Sequence, residues 1–218
     1  MKPLERTWDE ESVYRKFAGA SLYYDLWAKL TETRAQQLSL EWAGLEGNSN
    51  VLEVATGTGL FFEKLVKCNP GGYTAGIDFS REMLARTKKR IRPYLKNNYI
   101  DLKLESVYDM EFRHGRFDYI FNNYMLDLFP EADFMPILEK YNRLLKKEGK
   151  LLICSMAFPE KWYQRPWYKM AKSYPDLLAG CRPVSLHQYL EKAGYKVLKK
   201  SIVSQATFPS EVLMAIKT

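Results

Sequence analysis

Glu53 is an acid set inside an apolar run, and two glycines follow it within six residues, in the order Val51-Leu52-Glu53-Val54-Ala55-Thr56-Gly57-Thr58-Gly59. A carboxylate buried without a partner costs several kcal/mol, so Glu53 requires a cation or a hydrogen-bond donor beside it. Gly57 and Gly59 fall where backbone must turn tightly or approach a ligand. A second acid, Asp78, lies 19 residues beyond Gly59, at the end of the next apolar stretch, where a carboxylate can accept from both ribose hydroxyls. Together these residues describe a nucleoside site, and the nucleotide is either NAD or S-adenosylmethionine. The dinucleotide pattern needs a small residue three positions after its second glycine, and Phe62 stands there. A phosphate loop needs Gly-Lys-Ser/Thr, which does not follow. The ammonium group of a methionine moiety would satisfy Glu53.

Such residues need a scaffold that brings strand ends together. Apolar runs near 51–55, 72–78, 99–105, 118–124, 150–155, 195–203 and 208–216 read as strands, with amphipathic helices between most of them. The alternation predicts an α/β, Rossmann-like fold with a mostly parallel seven-stranded sheet and helices on both faces. Phe134, Ile137, Leu138, Tyr141, Leu144 and Leu145 recur at helical steps between Asp133 and Lys147, after which Gly149 turns the chain into a strand. Ser185 and Gln188 have the spacing of a capping box ahead of a short helix that Gly194 ends. Too few residues separate the last two strands for a parallel crossover, so the final strand is expected to be antiparallel. One domain over residues 1–218 is expected, with a helical amino-terminal cover over 1–48 and a lid-like insert over 156–182.

At this point the motifs resemble a family. Val51 to Gly59 is similar to the first motif of class I S-adenosylmethionine-dependent methyltransferases, and Gly76-Ile77-Asp78-Phe79-Ser80 to their second. Ser106-Val107-Tyr108-Asp109-Met110 resembles the adenine-contacting segment, Phe117 to Leu126 the fourth-strand motif, and Arg143 to Gly149 the turn before the fifth strand. Ala55 in the glycine turn and Tyr24-Asp25 near the start most resemble the ubiquinone/menaquinone biosynthesis branch. The resemblance implies Glu53 near the methionine ammonium, Gly57 and Gly59 along the cofactor backbone, and Asp78 on the ribose. It also implies Asp109 and Met110 around adenine, Asn123 near the methionine moiety, and Tyr24 and Phe79 among the cofactor-binding residues. The chain departs from the quinone branch at Asp127-Leu128, where a histidine is common, and at Lys147-Glu148-Gly149, where Pro-Gly-Gly is common. These departures count against a quinone acceptor.

The acceptor side is written less sharply. A sulfonium donor is already activated, so in-line transfer needs alignment and exclusion of water more than a dedicated base. Ligands of such sheets sit beyond the carboxyl ends of the strands, under whatever covers them. The amino-terminal segment offers Tyr14, Phe17, Tyr23, Tyr24 and Trp27, and the insert offers Phe158, Trp162, Tyr163, Trp167, Tyr168 and Tyr174. As a group these rings point to a small or lipid-like, largely apolar acceptor. Tyr124 and Asp127, just after the fourth strand, are the candidate catalytic residues; His114 and His187 read as solvated surface side chains.

A net charge of +7 admits anionic lipid, acidic substrate or nucleic acid, so peripheral membrane contact stands as an expectation. The cationic run Arg86 to Arg92 reads as a solvated helix face, and the fourth-strand motif lacks the two prolines of amino-directed nucleic-acid methyltransferases, so nucleic acid is not the expected partner; the net charge and this basic helix make an RNA methyltransferase the alternative reading. A cofactor-binding subunit without catalysis is the third. Cys68, Cys154 and Cys181 lack metal-ligand spacing, so no metal is expected. The amino terminus lacks the apolar core of a signal peptide and no apolar run approaches the ~20 residues of a membrane span, which gives a cytoplasmic expectation.

Overall fold

The computed structural model describes residues 3–5, 25–96, 98–178 and 180–218. Residues 25–31 are helical and lead into α1 (Thr33–Ala43), which closes on Gly44 in the left-handed region. Then follow β1 (Asn50–Val54), α2 (Leu60–Cys68), β2 (Tyr73–Asp78), α3 (Arg81–Ile91), β3 (Tyr99–Leu104), β4 (Phe117–Asn123), α4 (Phe134–Leu144) and β5 (Leu145–Met156). The insert carries α5 (Arg165–Ser173), and α6 (His187–Lys192) precedes β6 (Tyr195–Gln205) and β7 (Phe208–Lys217). All seven strands share one sheet in the order β3-β2-β1-β4-β5-β7-β6. The first five pair in parallel, and β7 runs antiparallel to both β5 and β6. This is the expected mostly parallel sheet with an antiparallel last strand.

Period-2 side-chain alternation sends neighbouring residues to opposite faces. Leu52, Ile120, Leu151, Ile153 and Leu213 enter one core with Phe134, Ile137 and Leu190 of α4 and α6. Val51, Phe121, Leu152 and Met214 enter another with Ala43 of α1 and Phe61 and Leu65 of α2. Strands buried on both faces need near-continuous apolar runs, which is what β1, β4 and β5 carry. Phe62 fits because β2 makes room for it: a Cβ on Gly76 would lie 2.7 Å from the Phe62 ring and 2.6 Å from the Thr56 methyl. The small residue that a dinucleotide turn keeps on its helix stands here on the strand.

Two local expectations change. The helical pattern up to Lys147 stops at Leu144, because Leu145 takes an extended conformation and pairs with Phe117 of β4. Glu148, at φ 60°, lies inside β5 at the irregularity where its register against β4 shifts, between the pairs Phe117–Leu145 and Tyr119–Lys150. The capping box of Ser185 and Gln188 does not form: Leu186 occupies the N-cap position without a side-chain hydrogen bond. Leu186 is fully buried in the main core, and seating it there outweighs the gain of about 1 kcal/mol that a cap supplies. Among the described residues no helix is long and apolar enough to cross a membrane, and no group of three potential metal ligands forms.

Candidate active site

β1 and β4 lie side by side at the centre of the sheet, where the connections diverge, and ligands of open α/β sheets bind beyond the strand ends at such a point. A cleft of about 650 Å³, including its open mouth, lies there. Val54, Ala55 and Gly57 of the glycine turn form one wall. Asp78, Phe79 and Met83 follow from β2 and α3, Glu105 and Val107 from the loop after β3, and Asn123, Tyr124, Met125, Leu128 and Phe129 from the segment after β4.

The glycine turn has left-handed positions at three alternate residues, with φ 65° at Ala55, 55° at Gly57 and 81° at Gly59. Ala55 therefore carries the strain of an L side chain in that region, about 1–2 kcal/mol. The turn is closed by Thr56 N–H donating to Ile77 O at 3.0 Å and Gly59 N–H donating to Thr56 O at 2.9 Å. Gly59 has no room for a side chain, since a Cβ would meet Thr87 Cα and Oγ1 at 2.9 Å.

Asp78 is buried and accepts two backbone N–H groups, Gly57 at 2.7 Å on Oδ2 and Ser80 at 2.9 Å on Oδ1. Burial pushes its carboxyl up to about 6 against the pull of those two donors. Ser80 in turn caps α3 by accepting Met83 N–H at 3.3 Å. The same acid thus ties the glycine turn to the start of α3, and its remaining lone pairs are available to a ligand.

Glu53 is 2% exposed, and its Oε2 has no hydrogen-bond partner among the described residues. Burial drives its carboxyl well above the ordinary range; the Asn123 side chain opposes this, Asp78 adds to it, and the Lys64 ammonium on α2 opposes it. Lys64, half-buried, is itself lowered by desolvation. Both side-chain polar atoms of Asn123 also lack a hydrogen-bond partner among the described residues, as does Oε2 of Glu105. Asn123 and Glu105 line the cleft and Glu53, which does not, stands next to Asn123; unsatisfied buried polar atoms of this kind are what a cationic, hydrogen-bonding ligand would complete. The residues fit S-adenosylmethionine: a buried acid for the ammonium, a ribose-type acid at Asp78, and an apolar wall of Phe79, Val107 and Leu128 for a flat base.

The other anticipated residues are placed differently. Asp109 is exposed and Met110 is packed in the core; both border a separate polar depression with Arg113 and Lys140, while Glu105 and Val107 take the cleft side of that loop. Tyr124 lines the cleft at φ 52°, and its hydroxyl donates to Ser210 Oγ on β7 at 2.7 Å. Burial pushes its phenol far above the ordinary range, so the ring is a neutral donor and not a base. Asp127 is fully buried but does not line the cleft: it accepts Met156 N–H at 2.9 Å and the Cys181 thiol at 3.2 Å, holding both ends of the insert, and burial raises it to about 6. Tyr14, Phe17, Tyr23 and Tyr24 lie outside the described residues.

The insert's rings do not line the cleft. Trp167 packs edge-on against Trp27 (5.7 Å between centroids) and Phe208 (5.3 Å), and Trp27 against Phe208 (5.8 Å). Trp162 and Tyr174 are 79% and 65% exposed. His114 and His187 are exposed, as read from the sequence. Glu105, Val107, Met125 and Leu128 are cleft residues that periodicity alone does not single out; the signal for Glu105 is an acid at the end of a strand, the same pattern as Asp78.

A methyltransferase-domain family model matches residues 45–201. A ubiquinone/menaquinone biosynthesis C-methyltransferase of Citrifermentans bemidjiense is 25% identical over 83% of this chain and 79% of its own length. A demethylmenaquinone methyltransferase of Lactococcus lactis is 29% identical over 68% of this chain and 53% of its own. Among solved structures, the magnesium protoporphyrin IX methyltransferase of Synechocystis, crystallised with S-adenosylhomocysteine, superposes with a TM-score of 0.74 at 15% identity, covering 96% of this chain and 100% of its own.

Proposed function

We propose, from the premise that this chain belongs to the class I S-adenosylmethionine-dependent methyltransferases and stands close to their ubiquinone/menaquinone branch, that it methylates a small or lipid-like, largely apolar acceptor by in-line transfer. The observation that carries the reading is the cleft at the β1/β4 ends, where Asn123, with both side-chain polar atoms unpartnered among the described residues, and Asp78 line the wall beside an apolar surface, with the buried Glu53 next to Asn123. Bound there, the cofactor supplies an electrophilic methyl group on a sulfonium. Glu53 and Asn123 would hold the ammonium end, Asp78 the ribose, and Phe79, Val107 and Leu128 the base. Gly57 and Gly59 allow the backbone to approach. Tyr24, outside the described residues, remains a cofactor-side assignment by resemblance, whereas Glu105 and Val107 take the cleft side in place of Asp109 and Met110.

Tyr124 and Asp127 act in this reading by position. The neutral Tyr124 ring, fixed by Ser210, shapes the acceptor side, and Asp127 holds the two ends of the insert next to the segment that follows β4. Met125, Leu128 and Phe129 continue an apolar surface from the cofactor side, which favours an apolar acceptor and excludes water. Incubating the protein with methyl-labelled S-adenosylmethionine and whole-cell extract tests this. Label in the organic phase is the expected result; label in RNA, lost steeply as salt rises, would favour the nucleic-acid alternative. Binding of cofactor without product from any fraction would favour a non-catalytic subunit.

The insert also supports the expected membrane contact. Arg165, Lys169 and Lys172 share one exposed face of α5, flanked by exposed Trp162 and Tyr174. Sedimentation with phosphatidylglycerol vesicles but not with phosphatidylcholine vesicles is expected; equal recovery with both would reject the contact.

A further inference from the structure

The geometry points to Arg90 as a positioning residue that ties the helical segment 25–31 to the glycine turn, so that cofactor affinity depends on an arginine outside the lining of the cleft. In the sequence Arg90 belongs to a run that reads as a solvated helix face. In the structure its guanidinium is turned inward and reaches three elements. Nε donates to the Thr58 carbonyl of the glycine turn at 3.0 Å. Nη2 donates to Asp25 Oδ2 of the amino-terminal helical segment at 2.6 Å. Nη1 lies 3.9 Å from Glu63 Oε2 on α2. A planar guanidinium presents several donors in a fixed fork, and a lysine ammonium cannot reproduce that geometry.

Thr87, one turn earlier on α3, donates Oγ1 to the neighbouring Gly57 carbonyl at 2.8 Å. Two successive carbonyls of the turn are therefore held from behind by one helix face. In a trans peptide the C=O and N–H point in opposite directions, so anchoring the Gly57 carbonyl on α3 turns the Thr58 N–H away from that helix. The register of the turn is set by Thr87 and Arg90, and Arg90 is in turn oriented by Asp25. Asp25 and Arg90 side chains are only 29% and 26% exposed, which shields the pair from solvent more than a surface ion pair. Order in the helical segment 25–31 and order in the cofactor turn are thereby coupled through one side chain. This inference rests on the cofactor reading of the turn.

Calorimetric titration with S-adenosylmethionine, and in parallel with S-adenosylhomocysteine, tests it. Arg90→Met should weaken binding about tenfold, the equivalent of one charge-assisted hydrogen bond. Asp25→Asn should weaken it about threefold in the unaltered background and not at all in the Arg90→Met background, because Asp25 acts only through Arg90. Arg90→Lys, which keeps the charge, should fall between wild type and Arg90→Met. Thermal midpoints of the cofactor-free variants separate loss of affinity from loss of folding. Unchanged affinity in a folded Arg90→Met variant, or full additivity with Asp25→Asn, would overturn the inference alone. Absence of any binding by the unaltered chain would overturn the cofactor reading as well.

Discussion

Asp78 shows how one side chain serves both folding and binding. It accepts Gly57 and Ser80 N–H groups and is pushed up to about 6 by burial. A ribose hydroxyl is best received by the ionised carboxylate, so cofactor affinity should fall as pH drops from 7.5 through 6 to 5. The stability sign is opposite: a folded-state value above the unfolded value of about 4 means that the folded chain binds the proton more tightly. The contribution of Asp78 to stability is therefore present below about pH 4 and is lost as pH rises through about 6. Asp78→Asn should flatten both dependences, read by calorimetry and by thermal midpoint. Asp78→Ala should weaken binding by tenfold or more, since a hydrogen bond to a charged group is worth about 1.5–3 kcal/mol. Unchanged affinity in Asp78→Ala would remove the ribose assignment.

The strand-turn-helix unit around the glycines works as a packed element and not only as a loop. Phe62 on α2 is fully buried above Gly76 of β2, where a Cβ would lie under 3 Å from Thr56, Phe62 and Leu102 side-chain atoms. Gly76→Ala should therefore cost about 1–3 kcal/mol by overpacking. Phe62→Leu in the same chain should recover part of that loss, and a double variant no more stable than Gly76→Ala would show that another contact is responsible. The close fit explains why an aromatic residue is accepted at a position that a dinucleotide turn keeps small.

Across the whole molecule, residues 25–31, the insert and β7 meet in the ring triad of Trp27, Trp167 and Phe208. Asp127 adds a second link by holding Met156 and Cys181, and Arg182 donates to the Phe129 carbonyl at 2.6 Å from a fully buried position. Each edge-on ring pair contributes about 0.5–1.5 kcal/mol beyond its buried area. Trp27→Ala removes two of the three and should raise the rate of limited proteolysis in residues 25–31 and in the insert together. Faster cleavage in only one of the two would show that they are not clamped by the triad.

The sequence by itself determined the sheet and the gathering of the glycine turn, Asp78 and Asn123 at the ends of its central strands. Strand and helix periods are local, and the demands of Glu53, the two glycines and Asp78 are legible wherever they fall, because burial of a carboxylate and backbone in the left-handed region need the same partners in any fold. Only the tertiary structure decided what the long-range contacts do. Asp127 lies buried against Met156 and Cys181 instead of facing the cleft, Trp167 of the insert packs on Trp27 instead of lining the site, and Arg90 turns from a solvated face to the glycine turn. Each of these depends on elements distant in sequence meeting at one point, and a side chain that has two sterically allowed directions takes the one where its buried polar or apolar surface finds a partner.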